Sequence, residues 1–187
     1  GNAEMMLGPA LSPYRNKVFL SCKTAERSKD GARRELEQSL VNLKTDHFDL
    51  YQFHAVNKVI DVETIFAKGG AMETVQQAKK EGKINHIGFS SHSVAAALAL
   101  MNNYDFDTIM FPVNIYTWHG GNFGAQVLDL AAKKNMGIIA IKAMAKGRWP
   151  QGVDRMGYKK LWYEPCLGEA EITRGLRFAL SHPVASA

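Results

Sequence analysis

The feature that most constrains the fold of this chain is the regular alternation of short apolar runs with amphipathic runs. The apolar runs have the length of buried strands and occupy residues 18–23, 48–54, 84–90, 108–115 and 138–142. Apolar residues recur at helical spacing in residues 30–43, 72–81, 93–102, 123–135 and 169–180. Strands that are apolar on both faces and alternate with helices predict a parallel sheet covered by crossover helices.

The composition is that of a folded domain. The chain has 187 residues, of which 46% are apolar and 22% are charged. The longest unbroken apolar run covers residues 94–101, whereas a helix that crosses a membrane needs about 20 apolar residues. The net charge of +5 is spread over pairs of basic residues, without a basic stripe or a nucleic-acid-binding motif. We therefore expect neither a membrane nor a nucleic acid as partner.

The cysteines and histidines exclude several kinds of site. Cys22 and Cys166 lie far apart, so neither a disulfide framework nor a thiolate zinc site is predicted. The histidines show no HExxH spacing, and we expect no metal site. This cysteine usage favours a reducing compartment, and the predicted location is the cytoplasm.

Polar residues close the five predicted strands. They are Lys23, His54, Ser90, Asn114 and Lys142. In a (β/α)8 barrel the carboxyl ends of the strands form the active face, so these residues are candidates for one functional site. A doubly wound sheet also carries its function at the carboxyl ends of strands, but no G-x-G-x-x-G follows the first strand. The pattern therefore favours an α/β fold of the partial barrel type.

One segment interrupts the alternation. Residues 143–168 contain two tryptophan and two tyrosine side chains, Trp149 among them, and show no strand or helix pattern. Loops of this length are uncommon and often functional. Two interpretations stay open, a surface excursion held by its aromatic side chains and a lid over the active face.

Three stretches of sequence resemble the aldo-keto reductase family. They are residues 1–24, with GNAE, LGPAL and VFLSCKT; residues 39–54, SLVNLKTDHFDLYQFH; and residues 82–90, GKINHIGFS. The resemblance implies a single, incomplete (β/α)8 barrel over residues 1–187, with strands three to seven of that fold. It also implies NADPH or NADH as cofactor and reduction of an aldehyde or ketone to an alcohol.

The resemblance further implies roles for individual residues. Lys23 matches the lysine that lowers the pKa of the family's acid tyrosine, and His54 matches the histidine that orients the carbonyl. That tyrosine and its aspartate would directly precede Gly1, so we expect the chain to be an internal fragment without reductase activity of its own. The expected cofactor-binding residues are Ser90, Ser91, Asn114, Lys142, Met144 and Lys146.

Two other functions remain open at this stage. Lys23 or Lys142 at a barrel rim would also suit a Schiff-base enzyme, which borohydride trapping with a carbonyl ligand would reveal. A non-catalytic module that binds the cofactor and serves as a regulatory subunit is the other alternative. The sequence does not specify the carbonyl substrate, the choice between NADPH and NADH, or the oligomeric state.

Overall fold

The computed structural model describes residues 2–155, 157–158, 160–184 and 186. The strands are β1 (Ser21–Thr24), β2 (Phe48–Phe53), β3 (Ile84–Ser90), β4 (Thr108–Pro112), β5 (Gly137–Ile141), β6 (Ala145–Arg148) and β7 (Tyr163–Pro165). The α-helices are α1 (Asn2–Leu11), α2 (Lys29–Leu43), α3 (Val59–Phe66), α4 (Ala71–Lys80), α5 (Val94–Asn103), α6 (Ile115–Gly121), α7 (Ala125–Lys133) and α8 (Glu169–Leu180), and a 3₁₀ helix covers Ser12–Lys17.

The strands β1 to β5 form one sheet in which the strand order is the order along the chain. The pairings of β1 with β2 and of β2 with β3 are parallel, and helices connect these strands. Parallel neighbours in chain order, each joined by a helical crossover, are the arrangement of a barrel of the (β/α)8 type. The predicted α/β fold, a partial (β/α)8 barrel, is confirmed.

Two compact units make up the chain, Gly1–Ile109 and Met110–Ala187. The first unit has a core of fully buried side chains that include Leu36, Phe48, Phe53, Ile84 and Phe89. In the second unit the rings of Phe111 and Phe123 stack with their centroids 5.0 Å apart, and buried Val127 and Ile138 extend that core. The prediction that residues 1–187 form one domain stays a prediction.

Some predicted boundaries were wrong for local reasons. The first strand begins at Ser21 rather than at residue 18, and Phe19 is 67% exposed. The fourth strand ends at Pro112, whereas we had expected it to continue to residue 115. A proline has no N–H for a ladder, and the side chain of Asn114 accepts a hydrogen bond from Thr117 N at 2.9 Å, which caps α6.

Residues 143–168 are not devoid of regular structure, because β6 and β7 pair there as an antiparallel hairpin. Trp149 Nε1 donates a hydrogen bond of 2.9 Å to the carbonyl oxygen of Leu161, which ties the two arms of the segment together. Trp162 is 73% exposed. These contacts agree with the interpretation of an excursion held by aromatic side chains.

Three helices have no counterpart in the predicted pattern, namely α1, α3 and α6. Helix α1 contains Gly8 and Pro9, both poor helix formers, and its Met5 and Met6 are exposed, so its sequence has no amphipathic period. Gly8 is buried, and a side chain there would clash with the backbone of Asn42 at the end of α2. Helix α1 is therefore recognisable from its packing and not from its local sequence.

Among the described residues no helix is both long and apolar enough to cross a membrane. The same part of the chain contains no group of three or more histidine, cysteine or carboxylate side chains that could hold a metal ion.

Candidate active site

Lys23 and His54 come together in the first unit, at the carboxyl ends of two adjacent parallel strands. Lys23 is aligned with Gln52 in the register of β1 and β2, and His54 N donates a hydrogen bond of 2.8 Å to Thr24 O. Both side chains line one cleft of about 530 Å³, together with Glu35 of α2. The strand-end pattern had predicted this proximity.

Partial burial and neighbouring charges together determine the protonation state of His54. Partial burial, the Lys23 ammonium and the Arg27 guanidinium lower the pKa of His54 below its usual value, while Glu35 acts in the opposite direction. Arg27 also donates a hydrogen bond of 2.7 Å from its guanidinium to the carbonyl oxygen of His54. The imidazole is therefore neutral near pH 7, with one nitrogen able to donate and the other able to accept.

Glu35 fixes the chain that follows β1. Its Oε2 accepts a hydrogen bond of 2.6 Å from Thr24 Oγ1 and one of 2.9 Å from Ala25 N. These bonds join α2, which carries Glu35, to the end of β1, which carries Lys23. They therefore fix the position of α2 relative to β1 at the mouth of the cleft. Sequence analysis did not single out Glu35, since only the tertiary fold brings it to the strand end.

Glu4 of α1 closes another side of the cleft. Its carboxylate accepts hydrogen bonds from Ser39 Oγ at 2.8 Å and from Asn42 Nδ2 at 2.9 Å, and Cys22 Sγ lies 3.6 Å from Glu4 Oε1. Burial raises the pKa of the Cys22 thiol, and the Glu4 carboxylate raises it further. Cys22 is therefore a protonated structural thiol rather than a nucleophile.

Ser90 and Ser91 are both buried and bind the loop that follows His54. Ser90 Oγ accepts a hydrogen bond of 2.7 Å from Ala55 N, a residue with a left-handed φ of 50°. Ser91 Oγ donates a hydrogen bond of 2.7 Å to Val56 O. These bonds fix the backbone on the carboxyl side of His54, and Ser91 uses its hydroxyl proton in doing so.

In the second unit, Lys142 and Lys146 have different surroundings. Lys142 follows β5 with a left-handed φ of 60°, and its Nζ lies 4.7 Å from the ring centroid of Trp162. Lys146 Nζ lies 2.8 Å from Glu171 Oε1 and 3.8 Å from Glu164 Oε1. Burial lowers the pKa of Lys142, whereas the hydrogen bond to Glu171 raises the pKa of Lys146.

The other two predicted cofactor residues of this unit have local roles. Asn114 is buried, and its Oδ1 accepts from both Thr117 N and Thr117 Oγ1 at the start of α6. The side chain of Met144 is 44% exposed, and its carbonyl oxygen accepts a hydrogen bond of 2.7 Å from Cys166 N. Their assignment as cofactor contacts stays a prediction.

Comparison with known proteins identifies the family. The sequence profile of the Aldo/keto reductase family matches residues 1–162. The chain belongs to this family. The match includes Lys23 and His54 in the first unit and the predicted cofactor residues of the second unit.

Individual aldo-keto reductases resemble the chain over different lengths. It is 30% identical over 128 residues to aldo-keto reductase YhdN of Bacillus subtilis, which is 62% of this chain and 37% of the relative. A putative aldo-keto reductase structure from Pseudomonas aeruginosa has a TM-score of 0.72 at 22% identity, over 100% of this chain and 66% of that one. An aldo-keto reductase from Klebsiella pneumoniae, in complex with NADPH, has a TM-score of 0.59 at 21% identity, over 75% of this chain and 48% of that one.

The chain spans between about a third and about a half of the length of three curated relatives that it matches. The likeness to the Pseudomonas structure covers the whole chain and so extends the match in fold beyond residue 162. At the carboxyl side, Ser186 forms a parallel bridge with Ile139 of β5.

Proposed function

We propose that this aldo-keto reductase reduces an aldehyde or ketone to an alcohol with NADPH or NADH, and that Lys23 and His54 are its catalytic residues. The observation that supports the proposal is the shared cleft of these two side chains at the ends of adjacent parallel strands. Neither residue alone distinguishes a reductase from another barrel enzyme. Their combination with the family match favours carbonyl reduction.

The chemistry of the pair follows from its charges. The bound cofactor would supply the hydride that reaches the carbonyl carbon. The neutral imidazole of His54 would donate its N–H to the carbonyl oxygen and hold the carbonyl in one orientation. The Lys23 ammonium would stabilise the negative charge that develops on that oxygen, because an opposite charge at a partly buried site favours the charged form.

The proton donor is the part of the reaction that these residues do not obviously supply. Tyr51 is buried on the face of β2 opposite to His54, and burial raises the pKa of its phenol well above the usual value. The resemblance assigns the acid tyrosine and its aspartate to positions before Gly1. We therefore propose that the 187 residues by themselves do not reduce a carbonyl substrate.

Two of the predicted cofactor residues fit a nicotinamide dinucleotide better than the others. Ser90 Oγ accepts from Ala55 N, which leaves its own proton available for a carboxamide oxygen. Lys142 makes no ion pair with a carboxylate of the described residues, so its ammonium can neutralise a phosphate. Lys146 is already paired with Glu171, which disfavours a second anion there. The NADPH complex of the Klebsiella relative supports the same cofactor class for this chain.

The remaining parts of the proposal concern context. Cys22 and Cys166 are both free, which supports a reducing compartment such as the cytoplasm. The partner is a small carbonyl compound.

The experiment is an assay of carbonyl-dependent NADPH and NADH consumption with a panel of aldehydes and ketones. It is run on the 187-residue chain and on the protein expressed from the whole gene, whose sequence upstream of Gly1 is determined first. We expect turnover only for the whole protein, with loss of activity in Lys23→Met and His54→Ala. Binding of cofactor without turnover of any carbonyl would instead support the regulatory module, and carbonyl-dependent turnover by the 187 residues would refute their inactivity.

A further inference from the structure

A group of buried polar atoms lies in the first unit without partners. Gln52 of β2 has no exposed surface, and both its Oε1 and Nε2 make no hydrogen bond within the part of the chain that the structure describes. Thr108 Oγ1 at the start of β4 is likewise buried and unpaired among the described residues. Buried amides and hydroxyls are nearly always hydrogen-bonded, so three such atoms require a physical explanation.

The register of the sheet places Gln52 beside the proposed catalytic lysine. Gln52 is aligned with Lys23 on β1 and with Gly88 on β3. Aligned residues of parallel strands project from the same face, and His54 is two residues further along β2 on that face. Gln52 therefore belongs to the layer of side chains that contains Lys23 and lies directly below His54.

Gly88 shows that the side chains of Gln52 and Thr108 lie close to one another. A Cβ built on Gly88 would contact Thr108 Oγ1, would lie 2.9 Å from the carbonyl oxygen of Thr108, and would lie 3.3 Å from Gln52 Cγ. Both side chains thus border the space directly above this glycine. The Thr108 hydroxyl occupies the space that a Cβ at position 88 would need, with Gln52 Cγ beside it.

The donor and acceptor capacity of these atoms matches a water molecule. Gln52 Nε2 can donate, Gln52 Oε1 can accept, and the Thr108 hydroxyl can do both. An internal water typically makes two to four hydrogen bonds to buried polar groups that would otherwise be unsatisfied. Apolar side chains of the same shape at these two positions would leave no polar atom that requires a partner.

We propose that the Gln52 amide and the Thr108 hydroxyl bind an ordered water molecule between them, and that Gln52 with this water is a positioning element for Lys23. The inference rests on the proposed function for the catalytic role of Lys23, but the water site stands without it. Gln52 Oε1 makes no direct hydrogen bond among the described residues, so the amide acts on the aligned Lys23 through the water. Gln52 acts through Lys23 and does not touch the carbonyl substrate.

The first test asks whether two substitutions lower or raise the stability of the folded chain. Thr108→Val and Gln52→Met remove the polar atoms at nearly constant volume, and Thr108→Ser keeps the hydroxyl. If a water is bound, the first two variants lower the urea midpoint of the 187-residue chain, while Thr108→Ser shifts it less than Thr108→Val. The double variant is then less destabilised than the sum of the two singles, because both lose the same water.

The opposite signs would overturn the water site. Atoms that are buried without any partner destabilise the folded state, so Thr108→Val and Gln52→Met would then raise the urea midpoint. Strictly additive effects of the two substitutions would also contradict a shared water. Gln76→Met, on the exposed side of α4, is the control for the exchange of an amide for a thioether.

The second test separates positioning from mere packing. The Lys23 ammonium lowers the pKa of His54, so a displaced lysine in Gln52→Met raises the midpoint of the His54 titration by NMR. In the whole enzyme, kcat falls on the order of tenfold with KM unchanged, less than the roughly hundredfold loss typical of a misplaced reacting group. An unchanged titration and unchanged kcat would leave no positioning role. If the whole enzyme reduces no carbonyl, the proposed function fails while the stability and titration measurements still decide this inference.

Discussion

The two compact units present their predicted site residues in opposite ways. In the first unit, Lys23 and His54 share one cleft, and partial burial together with the cations of Lys23 and Arg27 keeps the imidazole of His54 neutral. In the second unit, Lys142 lies over an aromatic ring and Lys146 is bound by two carboxylates. The end of a strand therefore predicts where a side chain lies, but it does not predict whether neighbouring groups have already used its charge.

The proposed function assigns catalysis to the first unit, and Lys23→Met is the substitution that tests this most severely. We expect kcat/KM for carbonyl reduction by the whole enzyme to fall on the order of a thousandfold, because the ammonium that stabilises the developing charge is lost. Steady-state NADPH consumption measures the effect. Lys80→Met, exposed on α4, is the matched control. Retention of more than a tenth of the wild-type value would move the catalytic role away from the first unit.

His54→Gln tests the second member of the same pair. We expect kcat to fall on the order of a hundredfold, since glutamine keeps a donor but not the geometry of the imidazole. The control is His119→Gln at a surface histidine of α6. A loss of kcat in His54→Gln that is smaller than the loss in this control would contradict the role of His54.

The lowered pKa of His54 also predicts a pH dependence of stability. Below the model-compound value of 6.5 the unfolded imidazole binds a proton, while the folded one stays neutral until the pH reaches its lower pKa. Between these two pKa values the unfolded state binds more protons than the folded state. The free energy of unfolding is therefore greatest above pH 6.5 and decreases as the pH falls from 6.5 to the pKa of the folded protein. Urea titrations at several pH values should show this slope in the wild type and a flatter one in His54→Gln. Equal slopes would mean that His54 does not titrate as the structure implies.

Lys142 and Lys146 sharpen the comparison inside the second unit. We expect Lys142→Met to weaken NADPH binding roughly tenfold, the loss of one favourable phosphate contact, and Lys146→Met to weaken it less than about twofold. The reason is that Glu171 and Glu164 already neutralise Lys146. Isothermal titration of both variants gives the order directly. A larger effect at Lys146 would show that the cofactor displaces the two carboxylates.

Ser90→Ala is the mildest of these changes. It leaves the buried N–H of Ala55 without its acceptor, which costs about 1 kcal/mol of stability. Ser21→Ala, at an exposed hydroxyl of β1, is the control. If Ser90 also binds the carboxamide, cofactor affinity falls together with stability. A stability loss with unchanged affinity would limit Ser90 to fixing the loop after His54.

Local sequence determined some elements well. The predicted limits of β3 and α8 agree with the structure at both ends, because each has a clear apolar period and clear flanking residues. The positions of Lys23 and His54 followed from the same pattern. The parallel register then places them side by side without further information.

Other features depend on contacts between distant residues. The pairing of Lys146 with Glu171 and of Glu35 with Thr24 joins different elements, so no local pattern reports it. The unpaired amide of Gln52 is visible only after burial and register are known. Charge compensation, and not the location of the candidate residues, is thus what the sequence left undetermined.

The most direct test of the account is the titration of His54 by NMR in the 187-residue chain and in its Lys23→Met variant. If the two side chains share one site, His54 titrates below 6.5 in the wild type, and its pKa rises when the neighbouring ammonium is removed. If His54 titrates at its ordinary value in both chains, the two residues do not form a pair, and the proposed catalytic site is wrong.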